Sequence, residues 1–444
     1  MDRLESYFLS SSLDWVHIVW LVTSTSLSME LKVVHLSNTN GGQCSAYWSH
    51  SFGYTSRCCD CLPNYNLEGE GLEPRLGGPV SGNSIPPVDY LSWYVPRLKE
   101  QRPHDLSQSG FEYDWGIEAN AEEMLNFWTS GQDPAQWVAN RYDVDVNQVC
   151  IAHGACQSIS LAILAALPEN GPRVVGVEMP SFAVVSQSAR LLGCEVIPYH
   201  RGPGEGPWKL NREEILEILP KVGVLAMTPV MNPTGEMISE DDQRWLIEVT
   251  NAAGVNIVSD EVYLDAAKGT EFYRPMYKYA NHSISINSLT KTYGLGPIRF
   301  GWMIGAPDLI QNAKNAFQNM QGLTSAPTVS IAESVFSRLD EALEGIWKAR
   351  EQNLPKLVKV LEAHGIDWTP PPFGIFGAFP IGIDAVEAMD RFGKPLGLLA
   401  TPGGMFHADL KQYLRIAWGG SAESFESAMP VLSQFLTSIQ EVNA

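Results

Sequence analysis

From about residue 90 to residue 306 the chain alternates between two kinds of hydrophobic pattern. Short, nearly continuous apolar runs at 149–152, 173–177, 195–199, 222–227, 254–258 and 283–287 predict strands buried on both faces. Between them, 157–167, 183–192 and 239–253 repeat apolar residues at helical spacing. Strands separated by helices need crossover connections, so the pattern predicts an α/β fold on a mostly parallel sheet. After Pro307 the pattern turns helical, and 341–364 is long enough to join two bodies. Short strands at 375–379 and 414–417 then predict a smaller α+β domain. No internal repeat is visible.

Residues 1–84 follow neither period. They carry clusters of Ser, Gly and Asn with scattered Trp and Tyr, and the Gly/Pro-rich stretch 71–87 reads as a junction. A secretory leader needs a basic start, an apolar core and a small-residue cleavage site, and only Arg3 and a short apolar run are present. We expect 1–84 to be a poorly ordered extension, translated ahead of the native start. The expected organisation beyond it is an N-terminal part of the small domain at 85–110, a large domain at 111–344, and the C-terminal small domain at 345–444.

Composition narrows the function classes. At 444 residues and 45% hydrophobic content, two or three domains with sizeable cores are possible. A net charge of −20 disfavours nonspecific binding to nucleic acid or anionic membranes. No apolar run approaches the roughly 18 to 20 residues of a membrane span; the stretch 15–22 is short and contains His17. Cys58-Cys59-Asp60-Cys61 offers thiolates, but the second pair of a zinc site is missing, so no metal is expected. Cys150, Cys156 and Cys194 read as reduced thiols of a cytoplasmic protein.

The candidate chemistry collects at the ends of the predicted strands. Lys291 follows 283–287 and precedes the glycine-bearing loop 292–297, where an α/β fold displays reactive side chains. A lysine there forms an imine with an aldehyde cofactor when its surroundings lower its pKa. Asp260 ends an apolar run, placed to keep a pyridinium nitrogen protonated, with Tyr263 three residues on to donate to a phenolic oxygen. Asn232-Pro233-Thr234-Gly235 is a turn after 222–227 whose Asn amide can reach a ring oxygen or a substrate carboxylate. Gly154-Ala155-Cys156 opens a helix after a strand, a cradle for a dianion that Ser288 and the Arg299 fork would close. Together these read as a pyridoxal 5′-phosphate site.

The set resembles the class I/II aminotransferases of the aspartate aminotransferase superfamily, the fold-type I pyridoxal phosphate enzymes, over about residues 85–444. The resemblance implies that Asn232, Asp260, Tyr263, Ser288, Arg299 and the Schiff-base Lys291 touch the cofactor. It also implies that Phe182, in Pro180-Ser181-Phe182, stacks on its ring, and that Arg415, in Tyr413-Leu414-Arg415, grips the substrate α-carboxylate beside Asn232. Segments 373–377 and 401–406 match the family's small domain. Two departures stand out. The stretch 127–137 lacks the family's Leu-Arg after its glycine, and Cys156 replaces the usual Ser or Thr. The implied activity is amino transfer from an L-α-amino acid to a 2-oxo acid, in a homodimer with the active site at the interface. A lyase or cyclase on the same cofactor is the alternative. A regulator with an aminotransferase-like domain is a third reading, but 1–84 show no DNA-binding helix pair. No arginine lies in 319–327, where dicarboxylate-specific relatives supply one, so a non-acidic substrate side chain is expected. Thr324 or Ser325 is expected to touch the partner's phosphate.

Overall fold

The computed structural model describes residues 85–443 apart from Gln101, Ala119 and Glu205, together with three strands nearer the N-terminus. The contacts divide the chain into two units, 1–81 and 82–444. In the first, Glu5–Ser11 pairs antiparallel with Asp14–Trp20, which also pairs with Val33–Val34. The sequence pattern predicted no strands here, because the run Glu-Ser-Tyr-Phe-Leu-Ser-Ser has too few apolar residues to alternate. The poor order expected of 1–84 and the Cys58–Cys61 cluster otherwise fall outside the described residues.

An eight-stranded sheet dominates the second unit, in the order Val149–Ala152, Gly301–Gly305, Ser283–Ser288, Asn256–Asp260, Val224–Met227, Val174–Met179, Glu195–Gly204, Gly206–Leu210. Gly301–Gly305 runs antiparallel to both neighbours, and Gly206–Leu210 closes an edge hairpin; the other pairings are parallel. The continuous apolar runs follow from burial on both faces. Leu225, Met227, Ile257, Trp302 and Ile304 enter one core. Their alternates Val224, Ala226, Val258, Met303 and Ile286 enter a second, beneath the helices Gly154–Ala166 and Pro307–Gln321.

A third core joins Leu106, Phe379, Leu414, Ile416, Trp418 and the C-terminal helix Ala422–Asn443 around the strands Phe376–Pro380 and Tyr413–Ala417. The 25-residue helix Leu339–Ala363 connects these bodies. Its first half gives Ala342, Leu343 and Ile346 to the first core, and its second half gives Leu354, Leu357 and Leu361 to the third.

This topology brings the candidate residues to one edge. Gly154, Phe182, Asn232, Asp260 and Lys291 all lie at or within five residues of the C-terminal end of a parallel strand. Gly301–Gly305 runs the other way, so Arg299, two residues before its start, reaches the same edge. Open α/β sheets bind ligands at that edge.

Candidate active site

The anion cradle is built by close backbone packing. Gly154 begins a 13-residue helix at φ +75°, and a Cβ there would stand 2.6 Å from Arg299 Nη2. Gly301 is equally constrained, since its Cβ would lie 2.7 Å from the Gly154 carbonyl carbon. The two glycines thereby let the Arg299 guanidinium lie directly against the helix start, adding a full charge to the dipole and its free N–H groups. Arg299 itself has φ 53° and donates from Nη1 to Gly296 O at 3.1 Å. Ser288 pairs with Gly301 in the sheet and accepts Thr290 N–H at 3.3 Å. Ala155 is half-buried, and the exposed Cys156 lies within electrostatic range of Arg299, Asp260 and Lys291.

Asp260 is buried, and its described hydrogen bond is a long one from Val262 N–H at 3.4 Å. Burial pushes its carboxyl up to about 6, against the pull of Val262 N–H and Lys291. A buried carboxylate without a bonded cation suits a protonated ring nitrogen. The shift has a stability consequence in the cofactor-free protein. The folded carboxyl holds its proton above its ordinary 3.8, so stability is lost as pH rises from about 4 through about 6. Cofactor-free Asp260→Asn is expected to melt above the wild type at neutral pH and to converge with it near pH 4. Equal melting temperatures at both pH values would remove this account of Asp260.

Lys291 is half-buried, and burial lowers the pKa of its amine. Its Nζ lies 2.9 Å from Ser109 Oγ, which also accepts the Tyr263 hydroxyl at 3.1 Å. Burial raises the Tyr263 phenol to about 12, so it is a donor at neutral pH. Asn232 Nδ2 donates to the Tyr263 oxygen at 3.3 Å, and Asn232 Oδ1 accepts Arg415 Nη1 at 2.7 Å.

Arg415 has no exposed surface. Its Nη2 donates to Ser107 O at 2.5 Å and Thr401 Oγ1 at 3.0 Å, while its Nε is buried without a partner among the described residues. The rings of Tyr90, Phe376 and Phe406 stand 5.4 to 5.6 Å from the guanidinium carbon. Half-buried Phe182 meets Tyr90 edge-on at 6.2 Å. Sequence reasoning missed Tyr90, Ser107, Ser109 and Thr401. The first three lie in 85–110, where no motif marks them.

At the first departure, Phe127 is buried and Trp128 is 40% exposed, with its indole N–H donating to Thr324 O at 3.1 Å. Thr324 is buried and Ser325 is exposed. Among the described residues no cluster of metal-ligating side chains occurs, and no helix is long and apolar enough to cross a membrane.

The family profile of aminotransferase class I and II matches residues 131–432. The chain belongs to this family. Among its relatives is aromatic-amino-acid aminotransferase 1 of Thermococcus litoralis, 24% identical over 322 residues that cover 68% of this chain and 76% of that protein. Another is the valine–pyruvate aminotransferase of Mycobacterium tuberculosis, 25% identical over 305 residues, covering 66% and 77%. The solved aspartate aminotransferase of Thermotoga maritima superposes with a TM-score of 0.68 at 18% identity, over 80% of this chain and 98% of that one. A PLP-dependent cyclase superposes with 0.66 at 23% identity, over 81% and 99%. These likenesses establish the fold-type I architecture.

The protein is thus a transaminase, and enzymes of this class and fold depend on pyridoxal 5′-phosphate. Its residues fit that group: a helix start with Arg299 for the phosphate, a buried carboxylate short of a cation, and an amine with a lowered pKa.

Proposed function

We propose that this aminotransferase transfers the amino group of an L-α-amino acid with a non-acidic side chain to a 2-oxo acid, with Lys291 as the residue that carries the cofactor. The observation that carries this reading is the bonded line from Arg415 to Lys291, which sets a carboxylate reader and a reactive amine at the two ends of one site. When bound, the cofactor supplies an electron sink for the substrate's Cα.

The chain's own residues do the rest. Gly154, Ala155, Cys156, Ser288 and Arg299 would hold the phosphate end, Phe182 would cover the ring, and Asp260 would keep the ring nitrogen protonated. Asn232 and Tyr263 would face the phenolic side. Lys291 Nζ takes the Cα proton of the amino acid, and its lowered pKa keeps more of it neutral near physiological pH. Arg415 fixes the α-carboxylate, which orients the Cα–H bond toward that amine.

The lack of an arginine in 319–327 to meet a second carboxylate supports a non-acidic side chain. A panel of amino acids, read as 2-oxo acid formed, is expected to show phenylalanine, leucine and methionine ahead of aspartate and glutamate. Faster turnover of the two acids would overturn the substrate assignment. The same fold also carries a cyclase, so the product is the discriminator: release of a ring compound or ammonia supports the alternative chemistry. We also propose a homodimer, with large apolar side chains of Leu125, Trp128, Met320 and Leu323 that are exposed in the single chain supporting that reading.

A further inference from the structure

At the foot of the turn that carries Asn232 lies an ion pair that neither the sequence motifs nor the family resemblance marks. Glu178 Oε1 and Arg201 Nε stand 2.8 Å apart, with 1% and 0% of their side chains exposed. Glu178 sits at the end of Val174–Met179, and Arg201 lies in the neighbouring strand Glu195–Gly204. Both reach to the residues that follow Val224–Met227, the strand on the other side of Val174–Met179. Glu178 Oε2 accepts Thr228 N–H at 2.8 Å, while Arg201 donates to Thr228 O at 2.8 Å and to Pro229 O at 3.3 Å. Beyond this grip the chain closes on itself. Pro229 O also accepts Ile238 N–H at 2.9 Å, Val230 bridges to Met237, and Met231 O accepts Gly235 N–H at 2.7 Å. The pair thus holds the base of a closed turn, and Asn232 stands at its tip.

We propose that Glu178 and Arg201 are positioning residues of the transaminase site, which fix the Asn232 turn so that its amide meets Arg415 and Tyr263 together. The proposal rests on Asn232 serving the cofactor and substrate, as in the proposed function.

Stability alone does not account for such a pair. Taking two charges out of water costs about as much as their attraction returns, and apolar residues of similar size often serve a core as well or better. Burial raises the Glu178 carboxyl against the pull of Arg201 and Thr228 N–H, which shows that cost. Apolar residues, however, carry no direction. A planar fork and a carboxylate hold Thr228 N–H, Thr228 O and Pro229 O at set distances and angles. Asn232 needs a footing of that kind, because its Nδ2 donates to Tyr263 at 3.3 Å while its Oδ1 accepts Arg415 Nη1 at 2.7 Å. These partners stand on separate elements, so a tip displaced by about 1 Å loses one contact or both.

The test compares the full chain as wild type with the double variant Glu178→Met/Arg201→Met. Its melting temperature is expected at or above the wild type's, because both charges leave together. Hydrogen exchange of the cofactor-free protein, read by peptide mass spectrometry, should quicken about tenfold over 228–238 and stay unchanged over 283–288. With the cofactor bound, KM for the amino donor should rise about tenfold while kcat changes less, since Asn232 no longer steadies Arg415. Wild-type exchange over 228–238, or a wild-type KM, in the folded double variant overturns the proposal. A lower melting temperature with faster exchange spread evenly over the sheet marks a support of the fold and overturns it as well. Should the double variant fail to fold, Arg201→Lys, which keeps a cation for Glu178 but gives up the fork, is read for exchange and KM in the same way. Failure of the Asn232 reading shows separately, as wild-type KM and kcat in Asn232→Ala.

Discussion

Lys291→Ala is expected to lower transamination by more than about a thousandfold, because in the proposed reading one amine both carries the cofactor and moves the Cα proton. The visible band of the lysine-linked cofactor should vanish from the spectrum, while far-ultraviolet circular dichroism stays unchanged. The structure supports a selective loss. Lys291 is half-buried, its side-chain bond is to Ser109, and the fold's anchor at this point is the backbone contact from Phe111 N–H. Retention of both band and activity would refute the role of Lys291.

Arg415→Leu is the second large effect, and its signature differs. The wild-type guanidinium is fully buried and bonded to Asn232, Ser107 and Thr401, and removing it leaves Asn232 Oδ1 without its described donor, while Ser107 O keeps only the Thr401 hydroxyl. Truncating one partner of a buried charge-assisted contact costs about 2 to 5 kcal/mol. For the substrate carboxylate this corresponds to a fall in kcat/KM of roughly thirty- to several-thousand-fold, carried mainly by KM. The cofactor band should survive, because Arg415 does not reach the phosphate cradle. A simple alkylamine lacking a carboxylate should react with the bound cofactor equally in both proteins. Equal losses for amino acid and alkylamine would show that Arg415 supports the fold or the cofactor rather than the carboxylate.

Much of this arrangement was legible because the parallel sheet leaves a strong trace. Strands buried on both faces must be apolar throughout, so 222–227 and 283–287 stood out, and the structure has Val224–Met227 and Ser283–Ser288 there. The helix read from apolar spacing at 239–253 is Glu240–Ala253 in the structure, where Ser239 accepts Asp242 N–H at its start and Gly254 at φ 67° ends it. The edge hairpin was missed. Gly202-Pro203-Gly204 reads as a turn, yet Glu195–Gly204 continues through it and pairs with Gly206–Leu210. Tertiary pairing there overrides local propensity.

The same contrast holds within the site. Lys291, Asp260 and Asn232 are conspicuous because they follow apolar strands, whereas Arg415, inside the strand Tyr413–Ala417, was marked only by the family resemblance. Ser109 and Tyr90 are ordinary residues in sequence, and only the packing of 85–110 against the sheet edge brings them to Lys291 and Arg415. Arg299 was expected as a bidentate fork on a phosphate, and the structure gives it a contact with the Gly154 helix start. That Gly154 and Gly301 must both lack a Cβ for it to form is visible only in three dimensions.

The most direct test of the central claim is the visible absorption spectrum of the purified protein with pyridoxal 5′-phosphate, followed as L-amino acids are added without any oxo acid. The account predicts loss of the lysine-linked band with at least one non-acidic amino acid, with formation of the pyridoxamine form and one equivalent of the matching 2-oxo acid. A band that never converts, or one that converts with release of ammonia or a cyclic product, would contradict it.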